Sequence, residues 1–177
     1  MKVRRVVTGQ DARGKSVFVS DELVDPIILS QFPGLAFHRL WGADTTPALP
    51  ASGTPPPQPR YFPPAGGFRF IFFTLPPESS ATPADIDAAA ALREITEKLP
   101  GMAEVMEPGH PGMHTTDTVD FAVLLSGEMW LELDDGAEVH LKAGDTVVQN
   151  GTRHAWHNRS DKPAVVAGGI IGATRRG

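Results

Sequence analysis

His114-Thr115-Thr116-Asp117-Thr118-Val119-Asp120, closed by Gly127, and Gly151-Thr152-Arg153-His154-Ala155-Trp156-His157-Asn158 are the two stretches that decide how this chain reads. Both look like parts of neighbouring β-strands. Together they carry two imidazoles and a carboxylate. Two neutral nitrogens and one carboxylate oxygen can hold a divalent first-row metal and leave positions open for a substrate. By the two-residue period of a strand, His114 and Thr116 share a face, and so do His154, Trp156 and Asn158, while His157 turns away.

The segment between them has a clear rhythm. Residues 119–125 read as a strand, Ser126-Gly127-Glu128 as a turn, and 129–133 as a strand of alternating apolar and polar residues. Asp134-Asp135-Gly136 is a hairpin signal, with glycine supplying positive φ. Short strands at 138–142, 146–149, 153–158 and 164–171 follow, separated by Gly/Asp/Asn turns. That spacing predicts a small antiparallel barrel or sandwich.

This pattern resembles the cupin superfamily. Its first motif reads G-x5-H-x-H-x3-4-E-x6-G. His114 sits at the first histidine, Thr116 at the second, Asp120 at the glutamate and Gly127 at the closing glycine. Its second motif reads G-x5-P-x-G-x2-H-x3-N. Gly144 opens it one residue late, Gln149 replaces the proline, and Gly151, His154 and Asn158 match. The resemblance covers the C-terminal third of the chain and is similar to the small single-domain bacterial members. It implies a mainly β protein built on a single antiparallel jelly-roll barrel. Residues 112–177 would form the barrel core. Residues 1–111 would supply strands, a Pro-rich loop and one helix packed on or completing it, all in one compact domain. The superfamily hosts many reactions and non-catalytic binders, so fold does not fix function.

The departures from the motif shape the site. Thr116 removes one histidine, and Asp120 is a methylene shorter than glutamate. What remains for a metal is His114, Asp120 and His154, a set suited to Fe, Mn, Ni or Zn. Thr116 is expected to face the same cavity without ligating. Asp117 is a possible substitute carboxylate, but it faces away if Thr116 faces in. Such an ion stays net positive and would attract an anionic or enolisable oxygen. Asp120 or His110, the latter in the Pro108-Gly109-His110-Pro111-Gly112 loop, could serve as a proton shuttle. His140 reads as solvated, His157 as surface or interface, and His38 as a structural histidine in an apolar strand.

The N-terminal part reads less sharply. Strand-like runs occupy 5–8, 16–20 and 35–41. Residues 42–67 hold eight of the 17 prolines, too many for a sheet interior or a helix, so this zone reads as a wrapping loop or as a lid over the barrel mouth. Phe68-Arg69-Phe70-Ile71-Phe72-Phe73-Thr74 reads as a buried strand. Arg69 shares a face with Ile71 and Phe73, and is expected either to snorkel at the strand end or to anchor an anionic substrate. Phe73 and Trp156 are expected to line the pocket. One helix is predicted around 83–99, with Thr82 as N-cap, Pro83 in the first turn and Asp85 three residues past the cap. Its apolar stripe would be Ile86, Ala89, Leu92, Ile95 and Leu99.

Composition excludes several classes. With no cysteine there is no disulfide scaffold, thiolate metal site or cysteine nucleophile. A net charge of −5 argues against nucleic acid as a partner. No apolar run is long enough for a membrane span, and Met1-Lys2-Val3-Arg4-Arg5 lacks the apolar core of a secretory signal, so a cytoplasmic protein is expected. A homodimer is expected too, because an open small barrel has edges that need cover and the aromatic strand offers surplus apolar surface. Two functions fit: a metal-dependent lyase, isomerase or dioxygenase acting on a small carbonyl, hydroxy acid or enolisable compound, or a small-molecule-binding cupin without tightly bound metal.

Overall fold

The computed structural model describes residues 2–80 and 86–176. Its strands, in chain order, are β1 (Val3–Gln10), β2 (Ser16–Val24), β3 (Ile27–Ile28), β4 (Ala36–Ala43), β5 (Phe68–Leu75), β6 (Thr118–Ser126), β7 (Glu128–Glu132), β8 (Glu138–Lys142), β9 (Thr146–Asn150), β10 (Ala155–His157) and β11 (Ala164–Gly172). Two helices, α1 (Ala88–Lys98) and α2 (Met102–Val105), lie between β5 and β6. The protein is mainly β, and every strand pair is antiparallel.

Six strands form the main sheet in the order β3-β4-β5-β11-β6-β9, and three form a second in the order β10-β7-β8. The main sheet therefore mixes strands from both sides of residue 111. Its middle strand, β11, pairs the aromatic strand β5 on one side and β6 on the other. β1 and β2 form a separate ribbon. Arg5 ties it to the body by donating to the Leu40 carbonyl at 2.7 Å and lying over the Trp41 ring.

Alternation along these strands sends one set of side chains inward. Phe37 of β4, Ile71 and Phe73 of β5, Val166 and Ile170 of β11, and Asp120 and Ala122 of β6 face a common interior. Two apolar clusters flank it. Leu29, Tyr61, Ile71, Leu99, Met102 and Ile170 form one; Leu124, Met129, Leu131, Leu141, Ala164 and Val166 form the other. Phe73 packs against both. The opposite face of the main sheet leaves an apolar row across four strands. Phe70 lies opposite Gly169, Gly169 opposite Phe121, and Phe121 opposite Val148, and the three large side chains are exposed.

The helix differs from its expected form. Thr82, Pro83 and Asp85 lie outside the described residues. The observed cap of α1 is Asp87, whose carboxylate accepts from Ala90 N at 2.9 Å. The buried face is Ala91, Ile95 and Leu99, whereas Ala89 and Leu92 are exposed. Leu99 is fully buried and contributes about 2 kcal/mol of transfer free energy. No helix among the described residues is long and apolar enough to cross a membrane.

Arg69 neither snorkels nor reaches a ligand. It is 1% exposed and fixes the Pro-rich segment. Its guanidinium donates to the carbonyls of Ala43 (2.9 Å), Phe68 (2.9 Å), Arg60 (3.1 Å) and Tyr61 (3.2 Å), and pairs with Asp44 at 2.5 Å. Arg39 adds hydrogen bonds to the carbonyls of Gln58 and Arg60. The segment is thus clamped through its backbone, because a proline-rich chain has carbonyls to offer but few N–H groups.

Candidate active site

The interior holds a cavity of about 210 Å³. Most of its wall is apolar and aromatic, including Phe37, Tyr61, Phe62, Ile71, Phe73 and Trp156. Its polar side chains, Tyr61 apart, are His114, Asp120, Gln149 and His154.

The two histidines are brought together by backbone pairing. His114 N donates to the His154 carbonyl at 2.9 Å, and His154 N donates to the His114 carbonyl at 3.0 Å. This isolated bridge sets the ring centroids 4.2 Å apart. Each ring then donates Nδ1–H to a carbonyl oxygen, His114 to Gly112 and His154 to Thr152, both at 2.9 Å. A carbonyl can only accept, so each neutral ring keeps its lone pair on Nε2. This arrangement fixes tautomer and orientation as it does for metal-binding histidines. Burial lowers the pKa of His114, and lowers that of His154 to about 4 with a further push from His114. Both rings are neutral at pH 7.

Asp120 sits near the start of β6, paired with Gln149 of β9. Its Oδ1 is buried and makes no hydrogen bond. Burial raises its pKa to about 6, against the opposing effect of a hydrogen bond from Thr118. A buried acceptor without a donor costs free energy, on the order of 1–3 kcal/mol.

Glycine allows the surrounding loops to close on the site. Gly151, before His154, has φ +60°, and a Cβ there would stand 3.0 Å from the Thr116 carbonyl. Arg175 locks the same corner by donating to the carbonyls of Thr116 and Gly151 and to Asp117.

Other expected site residues lie elsewhere. Thr116 does not line the cavity of the histidines. The chain leaves strand geometry after His114 and bends at Asp117, so the two-residue period does not carry from 114 to 116. Thr116 lines an adjoining cavity of about 360 Å³ with Asp44, Arg60, Asp117 and Thr118, and its hydroxyl meets that of Thr118 at 2.7 Å. His110 is exposed beside Glu107 and does not line the cavity. Arg69 is withdrawn into the clamp described above. Phe73 and Trp156 do line the cavity, with ring centroids 6.2 Å apart. His140 pairs with Glu128 and stacks on Trp130. Asn158 is structural, donating to the Leu75 and Lys162 carbonyls.

The lining residues that the sequence did not point to include Tyr61, Phe62 and Gln149. Tyr61 and Phe62 come from the Pro-rich segment, which supplies wall rather than only surface. The pairing of the sole tyrosine with a phenylalanine between prolines was the available signal. Gln149 stands where the motif has proline, a departure that itself marked an inward position.

The donor atoms of His114, Asp120 and His154 are not drawn together as tightly as those of Glu132, Glu138 and His157. That outer trio is the one group among the described residues whose three donors lie within 4.8 Å of one another. Its members are already engaged. His157 bridges Glu78 and Glu132 at 2.8 and 2.7 Å, and Glu138 is held by Arg159.

Residues 102–168 match the cupin domain family (Cupin_2). Among curated proteins it is similar to a cupin-domain-containing oxidoreductase, virC, of Hypocrea virens, 37% identical over 87% of this chain and 66% of that protein. It is also similar to Oryzines biosynthesis cluster protein J of Aspergillus oryzae, 36% identical over 51% of this chain. The match spans 56% of the length of the Aspergillus protein. It spans 31% of Phomopsin biosynthesis cluster protein C' of Diaporthe leptostromiformis, at 46% identity over 33% of this chain. These relatives are fungal, so they lend nothing to the expected bacterial origin. Among solved structures, a Cupin 2 conserved barrel domain protein of Salinispora arenicola is 19% identical, with 82% of each chain covered and a TM-score of 0.41.

Proposed function

We propose that this chain is a small metal-dependent enzyme of the cupin type that acts on a small organic substrate. The observation that carries this reading is the pair of fixed imidazoles on the cavity wall, with Asp120 lining the same cavity. His114 Nε2 and His154 Nε2 offer lone pairs, and each ring is fixed by a hydrogen bond from behind. Two such nitrogens and a carboxylate suit Fe, Mn, Ni or Zn. His114, His154 and Asp120 would hold the ion, which would polarise a carbonyl or hydroxyl oxygen of the substrate. Asp120 would move a proton at that oxygen's neighbour only when it is not itself bound to the ion; in the metal-free protein burial raises its pKa to about 6. The aromatic wall excludes water and orients the rest of the molecule, with Phe73 and Trp156 on one side. Relatives named as biosynthesis-cluster proteins and as an oxidoreductase support a small-molecule reaction, redox or isomerising.

The wider spacing of Asp120 from the histidine pair favours a second reading, a small-molecule binder without tightly held metal. Elemental analysis of gently purified protein separates the two. About one ion per chain, lost in His154→Ala, supports the enzyme; no metal in the parent protein supports the binder.

We further propose a cytoplasmic homodimer in which a second copy covers the row Phe70, Phe121 and Val148. Light scattering of the parent and of Phe121→Glu tests it, and a monomeric parent at micromolar concentration sinks it.

A further inference from the structure

We infer that the cavity takes the ring of a neutral phenol- or enol-type substrate, with its hydroxyl aimed at Asp120 and the two histidines, rather than a carboxylate or phosphate. This rests on the preceding reading only in placing the ligand in the same cavity, and it holds for the protein without metal.

Apart from the Tyr61 hydroxyl and the Trp156 indole N–H, the polar lining offers acceptors. At the polar corner, His114 and His154 have committed their only N–H groups to carbonyls, and Asp120 Oδ1 has no partner. Gln149 Nε2 donates to Thr152. Every remaining polar atom of those four side chains therefore accepts. An incoming hydroxyl brings the missing donor. An incoming carboxylate brings only acceptors.

No compensating cation is present. No lysine or arginine among the described residues lines the cavity. Arg69, the nearest candidate on the same strand face, spends its guanidinium on four carbonyls and Asp44. A buried anion against Asp120 would therefore stand unpaired, which is strongly unfavourable.

Size and wall set the rest of the molecule. An engineered apolar cavity of about 150 Å³ takes benzene. The 210 Å³ here holds one ring with a small substituent. Phe37, Phe62, Phe73 and Trp156 line it, which suits a planar aromatic or enolised ring.

The test uses the full chain, stripped of metal with EDTA, at neutral pH. The probes are 4-fluorophenol, 4-fluorobenzoate and fluorobenzene, with binding read by ¹⁹F NMR line broadening. The expected order is 4-fluorophenol first, at least tenfold tighter than 4-fluorobenzoate, with fluorobenzene between them. Asp120→Ala should erase the advantage of the phenol over fluorobenzene while keeping fluorobenzene binding. Equal or tighter binding of the benzoate to the parent protein overturns the inference, and that comparison needs no variant. Failure of all three probes to bind overturns it too. Neither result bears on the metal content of untreated protein, so the two readings fail separately.

Discussion

Arg69 and Asp120 lie on strands of one sheet and are opposites: the first is buried and fully hydrogen-bonded, the second half-buried with one buried oxygen unpaired. Arg69 on β5 is a full charge with almost no exposure, and its guanidinium meets four carbonyls and a carboxylate. Asp120 on β6, one strand beyond β11, is a smaller group with an oxygen that meets nothing. The first is structure. Its partners come from the Pro-rich segment, and the interaction holds that segment against the sheet. The second is the group proposed to act: Asp120 lines the cavity, and its buried Oδ1 makes no hydrogen bond. Burial alone does not mark a functional residue; burial with unfinished hydrogen bonding does.

The largest expected effect tests the Arg69 side. Arg69→Ala strands the four carbonyls and half-buried Asp44, and breaking such a buried pair costs about 3–5 kcal/mol. Urea denaturation should show that loss, and limited proteolysis should then cut within residues 43–66. A loss below about 1 kcal/mol, the range of a surface ion pair, breaks the comparison.

The next effect tests the other side. His154→Ala should lower metal affinity by at least about tenfold, the scale seen even for outer-shell partners of metal ligands. Far-UV circular dichroism should stay unchanged, because the strand pairing of residue 154 runs through its backbone. Full metal occupancy in that variant removes His154 from the ligand set.

A third effect is a pair of opposed pH slopes in the metal-free protein. Asp120 has its pKa raised by burial from 3.8 to about 6. Within that window the folded state keeps a proton that the unfolded chain has released, so stability falls as pH rises. His154 has its pKa lowered by burial from 6.5 to about 4. Within its window the unfolded chain binds the proton first, so stability rises with pH. The slopes oppose one another in the parent protein, each bounded by about 1.4 kcal/mol per pH unit. Asp120→Asn should leave the rising slope and His154→Ala the falling one. Denaturation midpoints measured between pH 4 and 6.5 read this. Slopes of the same sign in the two variants contradict it.

The smallest effect sharpens the contrast between inside and outside. His110 is exposed beside Glu107. His110→Ala should change stability by less than about 0.5 kcal/mol and leave metal content and probe binding unaltered. A clear loss of binding returns His110 to the site.

Much of the C-terminal half was legible from spacing. The hairpin turns, the strands between them and the pairing of the stretches around His114 and His154 follow from alternation and turn residues, which are local signals. The partners of Arg69 were not legible. Its face was correct by period, but the carbonyls that meet it come from residues 43, 60 and 61, across a segment without periodicity. Thr116 failed for a related reason. The period-two rule holds within a strand, and His114 belongs to a single bridge, after which the chain turns. The helix stripe slipped because Leu92 and Ala89 fit the period as well as Ala91 does, and only the docking of α1 selects the face.

The sequence by itself determined that the chain is mainly β and that its turns and motif spacing resemble those of a cupin, and it set two histidines and a carboxylate on segments expected to adjoin. These are properties of residues near one another in the chain. The tertiary structure decided which polar groups are satisfied. Arg69 finds its carbonyls, His114 and His154 lose their N–H groups to the backbone, and Asp120 Oδ1 is left over. Hydrogen bonding is short-ranged and directional, so whether a buried atom is structural or free to act is settled only when distant segments meet around it.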